Sequence, residues 1–412
     1  MMLTKLFPIL LLISTALTFV GSSSTAHLRA ASIIVNAGAY DRSDAIVTFA
    51  LPSEVTGVGY ELRDSRGLVT PLNIDQKRRA TFILRSLKAG ESKTYTVVKS
   101  KAGIDRKNAV VLTNSQNGID ATLNGSKVFS FVGKPKGLPR PNIKPVFLRG
   151  GYIHPVYTPS GRLVTDDYPS DHYHHHGIWF AWTKTQFENG HPDFWNVDDG
   201  TGRIDAGAAN IYAARGNVFG AFNSSQSYVA LTGSQPKVAL TEEWDVRVYN
   251  VGQSSNSRYF VFDITATQQC ATSEPLKLEE YRYGGMGLRG HRDWKDKTKV
   301  KFLTSEGKTR EDGNATRGRW FVMFGPVDGQ TVNIAVLDHP HNFRSPQPMR
   351  LNPDDPFFNY APSQLGPFAI KSGEPFLLRY RYIVSDGTPN PDELNRLWND
   401  YADQPKVTVA IK

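Results

Sequence analysis

Apolar and polar residues alternate with a period of two along much of the chain, which is the pattern of β-strands buried on one face. The clearest case is the stretch 238–249, where one face carries Val238, Leu240, Glu242, Trp244, Val246 and Val248 and the other carries Glu243, Asp245 and Arg247. Further strands are predicted over residues 44–51, 58–63, 80–84, 93–98, 110–132, 258–267, 318–324, 331–337 and 375–384. The pattern therefore predicts an all-β protein built from antiparallel sheets.

The spacing of these strands divides the chain into two regions. Short strands separated by Gly, Pro and Asp-Ser turns predict a small N-terminal β-sandwich over residues 31–105. Residues 106–412 are expected to form the main β-sandwich domain, which carries the functional site. A short C-terminal helix is predicted after Asn390-Pro391, because Leu394, Leu397, Trp398 and Tyr401 follow at helical spacing.

The first 26 residues have the composition of a secretory signal peptide. Lys5 precedes a mainly apolar run from Leu6 to Val20, and Ser24-Thr25-Ala26 fits a small-x-small cleavage site. A single-span membrane anchor is disfavoured, because the run is shorter than the ~20 residues that a span needs. We therefore expect a secreted or periplasmic protein without integral membrane contact.

Charge and cysteine content narrow the possible partners. The formal net charge is +9, but Lys and Arg are scattered and form no arginine-rich arm, so no nucleic-acid partner is expected. A solvated basic surface is favoured, with an acidic glycan as the alternative partner. Cys270 is the only cysteine, so the chain is expected to fold without an internal disulfide.

The main concentration of candidate chemistry is Asp171-His172-Tyr173-His174-His175-His176-Gly177, which runs into the aromatic stretch 178–182. In an extended conformation, His172, His174 and His176 would point to one side and His175 to the other. Asp338-His339-Pro340-His341 repeats the Asp-His pattern at the end of another predicted strand. The two clusters are expected to converge on one site.

A metal ion is one reading of these clusters. His172, His174 and His339 would be its ligands, since imidazole is the commonest protein ligand of transition metals. The spacing matches no strong metal signature, however, and there is no His-Glu-x-x-His or Cys ligand set. A metal-free acid/base site is therefore favoured, with no cofactor required, and a divalent metal stays open.

A second polar cluster lies in residues 277–291. Glu280 and Arg282 would share a face of a strand, with Tyr281 on the other, and Arg289 follows a glycine-rich stretch. Such groups can transfer protons, but an exposed cross-strand salt bridge is an equally good reading. Arg344 and Gln347 lie in a long loop and are expected to bind substrate. Three tryptophans are candidate sugar platforms: Trp179, Trp182 and Trp195.

These motifs together resemble the so-called PmoA-like family of exported bacterial proteins. The matching segments, besides 171–177, are Tyr152-Ile153-His154-Pro155, Asp166-Asp167-Tyr168-Pro169, Asp193-Phe194-Trp195, Tyr283-Gly284-Gly285-Met286-Gly287, Arg317-Gly318-Arg319-Trp320, Asp338-His339-Pro340 and Pro346-Gln347-Pro348-Met349-Arg350. The resemblance implies a large antiparallel β-supersandwich similar to galactose mutarotase, and carbohydrate-active chemistry. Members are often called methane oxygenase, which a chain with no apolar span after its signal peptide does not support.

Carried over by position, the resemblance implies a polar site made of Asp171, His172, His174, His175, Glu280, Arg289, His339 and Arg344. The leading hypothesis is a secreted enzyme that cleaves glycosidic linkages by acid/base chemistry, with Glu280 and Glu243 or Asp171 as the two carboxylates that hydrolysis needs. The alternatives are a polysaccharide or 3-keto-glycoside lyase, a non-catalytic envelope glycan-binding protein and a metal-dependent enzyme.

Overall fold

The structure is a computed structural model that describes residues 31–53, 55–56, 59–100, 103–105, 107–253 and 258–411. The predicted signal peptide lies outside these residues. The first seven strands are β1 Ala31–Asn36, β2 Arg42–Ala50, β3 Tyr60–Asp64, β4 Val69–Pro71, β5 Asn73–Ile74, β6 Arg79–Leu87 and β7 Ser92–Lys99. They form two facing sheets whose shared core includes Phe82, with Phe49 and Tyr95 packed edge-on against its ring. We call this unit the N-terminal module.

The remaining strands follow, and all but the last of them build the larger part of the molecule. They are β8 Val110–Asn114, β9 Gly118–Leu123, β10 Ser126–Val132, β11 Tyr152–Val156, β12 Ile178–Ala181, β13 Thr185–Gln186, β14 Gly202–Ala213, β15 Arg215–Gly216, β16 Phe219–Ala230, β17 Lys237–Tyr249, β18 Tyr259–Cys270, β19 Leu276–Leu278, β20 Gly285–Arg289, β21 Lys301–Thr304, β22 Trp320–Val327, β23 Gln330–Asp338, β24 Met349–Leu351, β25 Phe357–Tyr360, β26 Phe368–Ile370, β27 Phe376–Asp386 and β28 Lys406–Ile411. In the part of the chain that the structure describes, the helices are α1 Pro391–Ala402 and three short 3₁₀ helices, Pro145–Phe147, Arg292–Lys295 and Pro362–Leu365.

Two large antiparallel sheets pack face to face and enclose the main core. One has nine strands in the order β15-β8-β9-β10-β11-β12-β20-β25-β24, and the other has eight in the order β14-β16-β17-β18-β27-β23-β22-β21. A small third sheet has the order β13-β19-β26. The alternation in β17 behaves as predicted, because Trp244, Val246 and Val248 are buried in the main core. The all-β class with sandwich-like sheets is therefore confirmed.

The outer face of the eight-stranded sheet packs against the N-terminal module and α1. Ile46 and Ile83 of the module share a core with Tyr249 and Tyr401. An ion pair of 2.9 Å between Arg247 Nη2 and Asp75 Oδ2 also crosses this boundary. Arg247, on the charged face of β17, thus contributes to the interface between the two units of the protein.

The C-terminus departs from the predicted division of the chain. Strand β28 pairs with β1, from Ala31 opposite Ile411 to Asn36 opposite Lys406. Residues 406–411 were expected to belong to the main domain, but they complete a sheet of the N-terminal module. The reason is that β1 would otherwise be an edge strand with unpaired backbone groups.

The predicted C-terminal helix is confirmed as α1. Asn390 caps it, since its side-chain Oδ1 accepts hydrogen bonds from the backbone N–H groups of Asp392 and Glu393. Leu394, Leu397 and Tyr401 form its buried face. Among the described residues, no helix is both long and apolar enough to cross a membrane.

Candidate functional site

The histidine-rich stretch is a series of turns, so the extended conformation predicted for it is wrong. The backbone N–H of His172 donates to Pro169 O, and that of His175 donates to His172 O. The turns stack the rings of His172 and His175 with centroids 4.6 Å apart and place His174 edge-on at 4.7 Å from His175. His172, His174 and His175 therefore form one group, although an extended chain would place His175 on the opposite side from His172 and His174.

His176 lies apart from this group. It is fully buried, its Nδ1 lies 2.7 Å from Asp167 Oδ1, and its ring stacks on Tyr152. The hydroxyl of Tyr152 also donates to Asp167. His176 is thus held by contacts with Asp167 and Tyr152 and does not belong to the histidine group.

The three grouped histidines line a cleft of ≈ 240 Å³ that we call the histidine cleft. Its lining residues come from segments that are distant in the chain: His172, His174, His175, Trp195, Asn196, Arg282, Tyr283, Arg350, Asn352 and Phe357. They are contributed by the turns before β12, the loop before β14, the segment before β20, strand β24 with the residue after it, and the start of β25. Of the described residues that line the cleft, none is Asp or Glu.

The carboxylates of this region lie behind the histidines, where a buried arginine holds them. Arg289 Nη2 is 3.2 Å from both oxygens of Asp171 and 3.7 Å from Asp355 Oδ1. Lys295 Nζ adds a second contact of 2.9 Å to Asp171. Arg289 is 1% exposed, so its charge needs these partners. The result is a compact cluster in which two carboxyl groups face two cations.

The environments of the two carboxyl groups separate their pKa values. Burial raises the pKa of Asp171, but the adjoining side chains of His172 and Asp355 and the charge of Arg289 outweigh burial and hold this pKa well below its ordinary value. Burial and the neighbouring Asp171 raise the pKa of Asp355. Asp171 is therefore the carboxylate that stays ionised, and Asp355 takes up a proton first.

Arg289 also selects the tautomer of His175. Its Nη1 lies 3.3 Å from His175 Nδ1, and because an arginine N–H can only donate, that nitrogen accepts. The proton of the neutral ring is therefore on Nε2. Burial lowers the pKa of His175 far below its ordinary value, and burial with the nearby His172 lowers the pKa of His174 to about 3. Both rings are neutral at pH 7.

His172 is the histidine best placed to exchange a proton with a ligand. Its Nδ1 is buried and lies 3.4 Å from Asp171 Oδ2 and 3.8 Å from Asp355 Oδ2, distances of ion pairs rather than of well-formed hydrogen bonds. The side chain is 34% exposed, so the exposed edge is on the Nε2 side. One ring nitrogen of His172 thus faces a carboxylate and the other faces the cleft. This is the arrangement of a general base.

Tyr283 supplies a proton donor to the same cleft. Its hydroxyl donates to Asn196 Oδ1 at 3.0 Å, and its ring packs against Trp195 and Tyr281. Burial, with a smaller effect of Tyr281, raises the pKa of Tyr283, so the phenol is protonated at neutral pH. The sequence motifs include Tyr283 but give it no role, and its position in the cleft makes it a candidate proton donor.

The tryptophans predicted as sugar platforms are buried. Trp179 and Trp182 are 0% exposed and Trp195 is 2% exposed. Trp179 packs against His175, whereas Trp182 turns to the other side of β12 and donates through Nε1 to Gln268 of the facing sheet. Trp179 and Trp182 therefore cannot bind substrate, and Trp195 contributes only a wall of the cleft.

Four other predicted site residues do not reach the cleft. Glu280 is exposed in an irregular segment instead of a strand, and Tyr281 lies behind Tyr283. Arg344 donates to the backbone carbonyls of Pro362, Gly366 and Pro367, and so fixes a loop. Gln347 is 0% exposed and is held by Tyr380 and the carbonyl of Phe343. Arg344 and Gln347, which were predicted to bind substrate, therefore do not line the histidine cleft.

His339 lies in a different cavity, so the predicted convergence of the two Asp-His clusters is wrong. That cavity, of ≈ 880 Å³, is lined by Glu243, Asp263 and Arg379 among others. It occupies the outer face of the eight-stranded sheet, whose inner face holds the main core. His339 packs edge-on against Tyr401 of α1. The metal-ligand set His172, His174 and His339 is therefore not assembled.

Another group of potential metal ligands is Asp171, His172 and Asp355, whose ligand atoms lie within 4.8 Å of one another. The same carboxylates already contact Arg289 and Lys295. A divalent cation would have to share them with these two positive charges at close range. The geometry therefore fits an ion-pair cluster better than a metal centre.

Strand β17 carries a buried glutamate, Glu242, to which the sequence analysis assigned no role. Glu242 stands among the apolar positions of that strand and is 1% exposed between the two sheets. Its carboxyl accepts hydrogen bonds from Gln226 (2.7 Å), Gln268 (2.8 Å) and Tyr228 (3.1 Å). The position of Glu242 on the apolar face of the predicted strand was the sequence signal that could have indicated a buried carboxyl group.

The fold and site define an all-β protein of the sandwich class with a polar cleft lined by histidine, arginine and tyrosine. The chain belongs to a family of unknown function, DUF6807, whose model matches residues 118–399. The match begins in β9, ends in α1 and includes every residue that lines the histidine cleft. No curated protein matches the chain.

Proposed function

We propose that the histidine cleft is the active site of a carbohydrate lyase, an enzyme that breaks a glycosidic C–O bond by elimination. The observation that carries this proposal is the lining of the cleft, which offers neutral imidazoles, a protonated phenol and two guanidinium groups. The resemblance to exported proteins of carbohydrate metabolism supports the class of substrate. The ≈ 240 Å³ of the cleft is below the ~300–1,000 Å³ of typical ligand sites, which suits one small unit of a glycan.

His172 would act as the base in this reaction. Its Nε2 removes a proton from a sugar carbon next to a carbonyl or carboxyl group, and Asp171 behind Nδ1 stabilises the resulting imidazolium. The electrons of the broken C–H bond form a C=C double bond, and the C–O bond at the adjacent carbon breaks. The hydroxyl of Tyr283 gives its proton to the departing oxygen, so protons and electrons balance without a co-reactant.

Hydrolysis, the leading hypothesis from the sequence, has less support from the same geometry. It requires two carboxyl groups on opposite sides of the scissile bond, about 5–9.5 Å apart. The nearest pair, Asp171 and Asp355, lies together behind His172 and is bound by Arg289. Glu280 is exposed outside the cleft, and Glu243 lines the cavity that contains His339.

The test is a screen of uronic-acid polysaccharides, neutral polysaccharides and 3-keto-glycosides with purified protein. Elimination creates a conjugated double bond that absorbs ultraviolet light, whereas hydrolysis creates a reducing end without this absorbance. We expect His172→Ala and Tyr283→Phe each to lower kcat by about 100-fold or more. His341→Ala, an exposed histidine outside the cleft, is the control and should keep full activity.

Two results would refute the proposal. One is the release of reducing ends without ultraviolet absorbance, which would restore hydrolysis. The other is full activity of both cleft variants on a substrate that the wild type cleaves, which would move the chemistry to another part of the protein.

A further inference from the structure

The charges around the histidine cleft do not cancel. Arg282 and Arg350 both line it, and among the described residues neither forms an ion pair with a carboxylate. The Nη1 group of Arg350 donates to the side-chain oxygen of Asn314. The guanidinium of Arg282 lies over the rings of Tyr281 and Tyr283, 5.8 and 5.7 Å from their centroids. Two like charges therefore face the same small space.

The acidic groups nearby are engaged elsewhere. Asp354, which precedes the cleft segment of β25, pairs with Lys297 at 3.3 Å. Asp193 lies behind Asn196 and accepts from its amide and from the hydroxyl of Thr183. The carboxyl groups of Asp171 and Asp355 are bound by the cations behind the histidines, as described above. His174 and His175 are neutral and add no positive charge, so the two arginines account for the imbalance.

Burial makes this imbalance unfavourable without a ligand. Arg350 is half-buried, and burial together with the charge of Arg282 lowers its pKa. Like charges that share a partly desolvated site repel, and an anion placed between them would relieve the repulsion. An arginine side chain also presents parallel N–H groups that match the two oxygens of a carboxylate.

We infer that the cleft binds the carboxylate of an acidic sugar between Arg282 and Arg350, with the adjacent ring carbon turned towards His172. The inference rests on the proposed function, because elimination needs an acidic C–H next to the bound group. A carboxylate held by two arginines makes that C–H more acidic, since the negative charge that develops on its oxygens is stabilised. The substrate class is then a glycan containing uronic acid.

Direct binding tests this inference without requiring turnover. The titrants are D-glucuronate and D-galacturonate, their neutral counterparts glucose and galactose, and inorganic sulfate. The readouts are titration calorimetry and tryptophan fluorescence, to which Trp195 at the cleft wall contributes. We expect a uronate to bind at least about 10-fold more tightly than its neutral counterpart, and Arg282→Gln and Arg350→Gln each to remove about 10-fold of that affinity.

The control variant is Arg85→Gln, which removes the same charge from an exposed arginine of the N-terminal module. It should bind uronates like the wild type. Arg282 is exposed, so Arg282→Gln should stay folded and gives a result even if Arg350→Gln does not fold. His172→Ala should keep uronate binding, because it removes the base and not the anion contacts.

The outcomes separate this inference from the proposed function. Equal affinity for uronate and neutral sugar, no binding of either uronate, or equal and arginine-dependent binding of sulfate would each overturn the carboxylate assignment. Elimination of a neutral 3-keto-glycoside at full rate in Arg282→Gln would leave the lyase proposal standing and refute the acidic substrate. Arginine-dependent uronate binding with hydrolytic products would support the anion site and refute the elimination.

Discussion

Glu242 is a carboxyl group enclosed between two sheets, and it predicts how the stability of the fold depends on pH. Burial raises its pKa to about 7, and the hydrogen bonds from Gln268 and Tyr228 offset only part of the effect. In the unfolded chain the ordinary value is 4.5. Between these two values the folded protein holds a proton that the unfolded chain has released, so unfolding releases a proton and stability falls as pH rises.

The magnitude follows from the two pKa values. A tenfold difference in proton affinity corresponds to about 1.4 kcal/mol, so the burial of Glu242 costs about 3 kcal/mol once the pH exceeds the folded value. Between about pH 5.5 and about pH 8.5 the loss is about 2 kcal/mol. Other groups titrate over the same range, so the contribution of Glu242 must be isolated by comparison with a variant that cannot ionise.

Glu242→Gln is that variant. It has the same shape, and the flip of Gln226 that it requires is available because Gln226 Oε1 has no hydrogen-bond partner. We expect its free energy of unfolding, from denaturant titration, to rise relative to the wild type by about 2 kcal/mol between about pH 5.5 and about pH 8.5. Glu243→Gln, the exposed neighbour on β17, should parallel the wild type. If Glu242→Gln also runs parallel to the wild type, Glu242 is ionised in the folded protein and the reasoning is wrong.

Three further predictions concern the cleft and its surroundings. Arg289→Leu should lower the free energy of unfolding by about 3 kcal/mol at neutral pH. The substitution leaves Asp171 paired with Lys295, and it leaves Asp355 without a contacting cation. A loss below about 1 kcal/mol in denaturant titration would contradict this expectation. His339→Ala should leave kcat/KM on any cleaved substrate unchanged, and a loss comparable to that of His172→Ala would restore the convergent site. Chelation should leave the melting temperature unchanged, and a fall reversed by a divalent cation would show that the protein binds metal and would favour the group of Asp171, His172 and Asp355 as its ligands.

The strand pattern could be predicted wherever the two sheet faces differ in polarity. Strands β17, β18, β23 and β27 were found within a few residues of their observed bounds for this reason. Strands β14 and β16 were missed, although they have 12 residues each. Their sequences are rich in Gly, Ala, Asn and Ser, residues of low β-propensity, and the long pairings with neighbouring strands determine their conformation instead.

The site could be predicted only in part, because residue type is visible in a sequence and orientation is not. His172, His174, His175, Asp171 and Arg289 were identified correctly as one cluster, since they are concentrated in two short segments. His339 belongs to an identical local pattern but follows a strand of the opposite sheet. Asp355 was not singled out, because the Asp354-Asp355 pair between two prolines resembles an ordinary turn.

The cleft depends on strand order more than on any one motif. The nine-stranded sheet contains the sequence of neighbours β12-β20-β25-β24, and pairing joins Ile178 to Leu288, Leu288 to Phe358, and Phe358 to Leu351. The histidine turns precede the first of these strands, Arg282 precedes the second, and Arg350 lies in the last. The proposed base and the two arginines therefore come from segments more than 150 residues apart at the extremes, yet each lies in or next to a strand of the same sheet. A base held by Asp171 and a carboxylate held by two arginines keep a fixed separation only in such a frame, which is what proton abstraction next to a bound carboxylate requires.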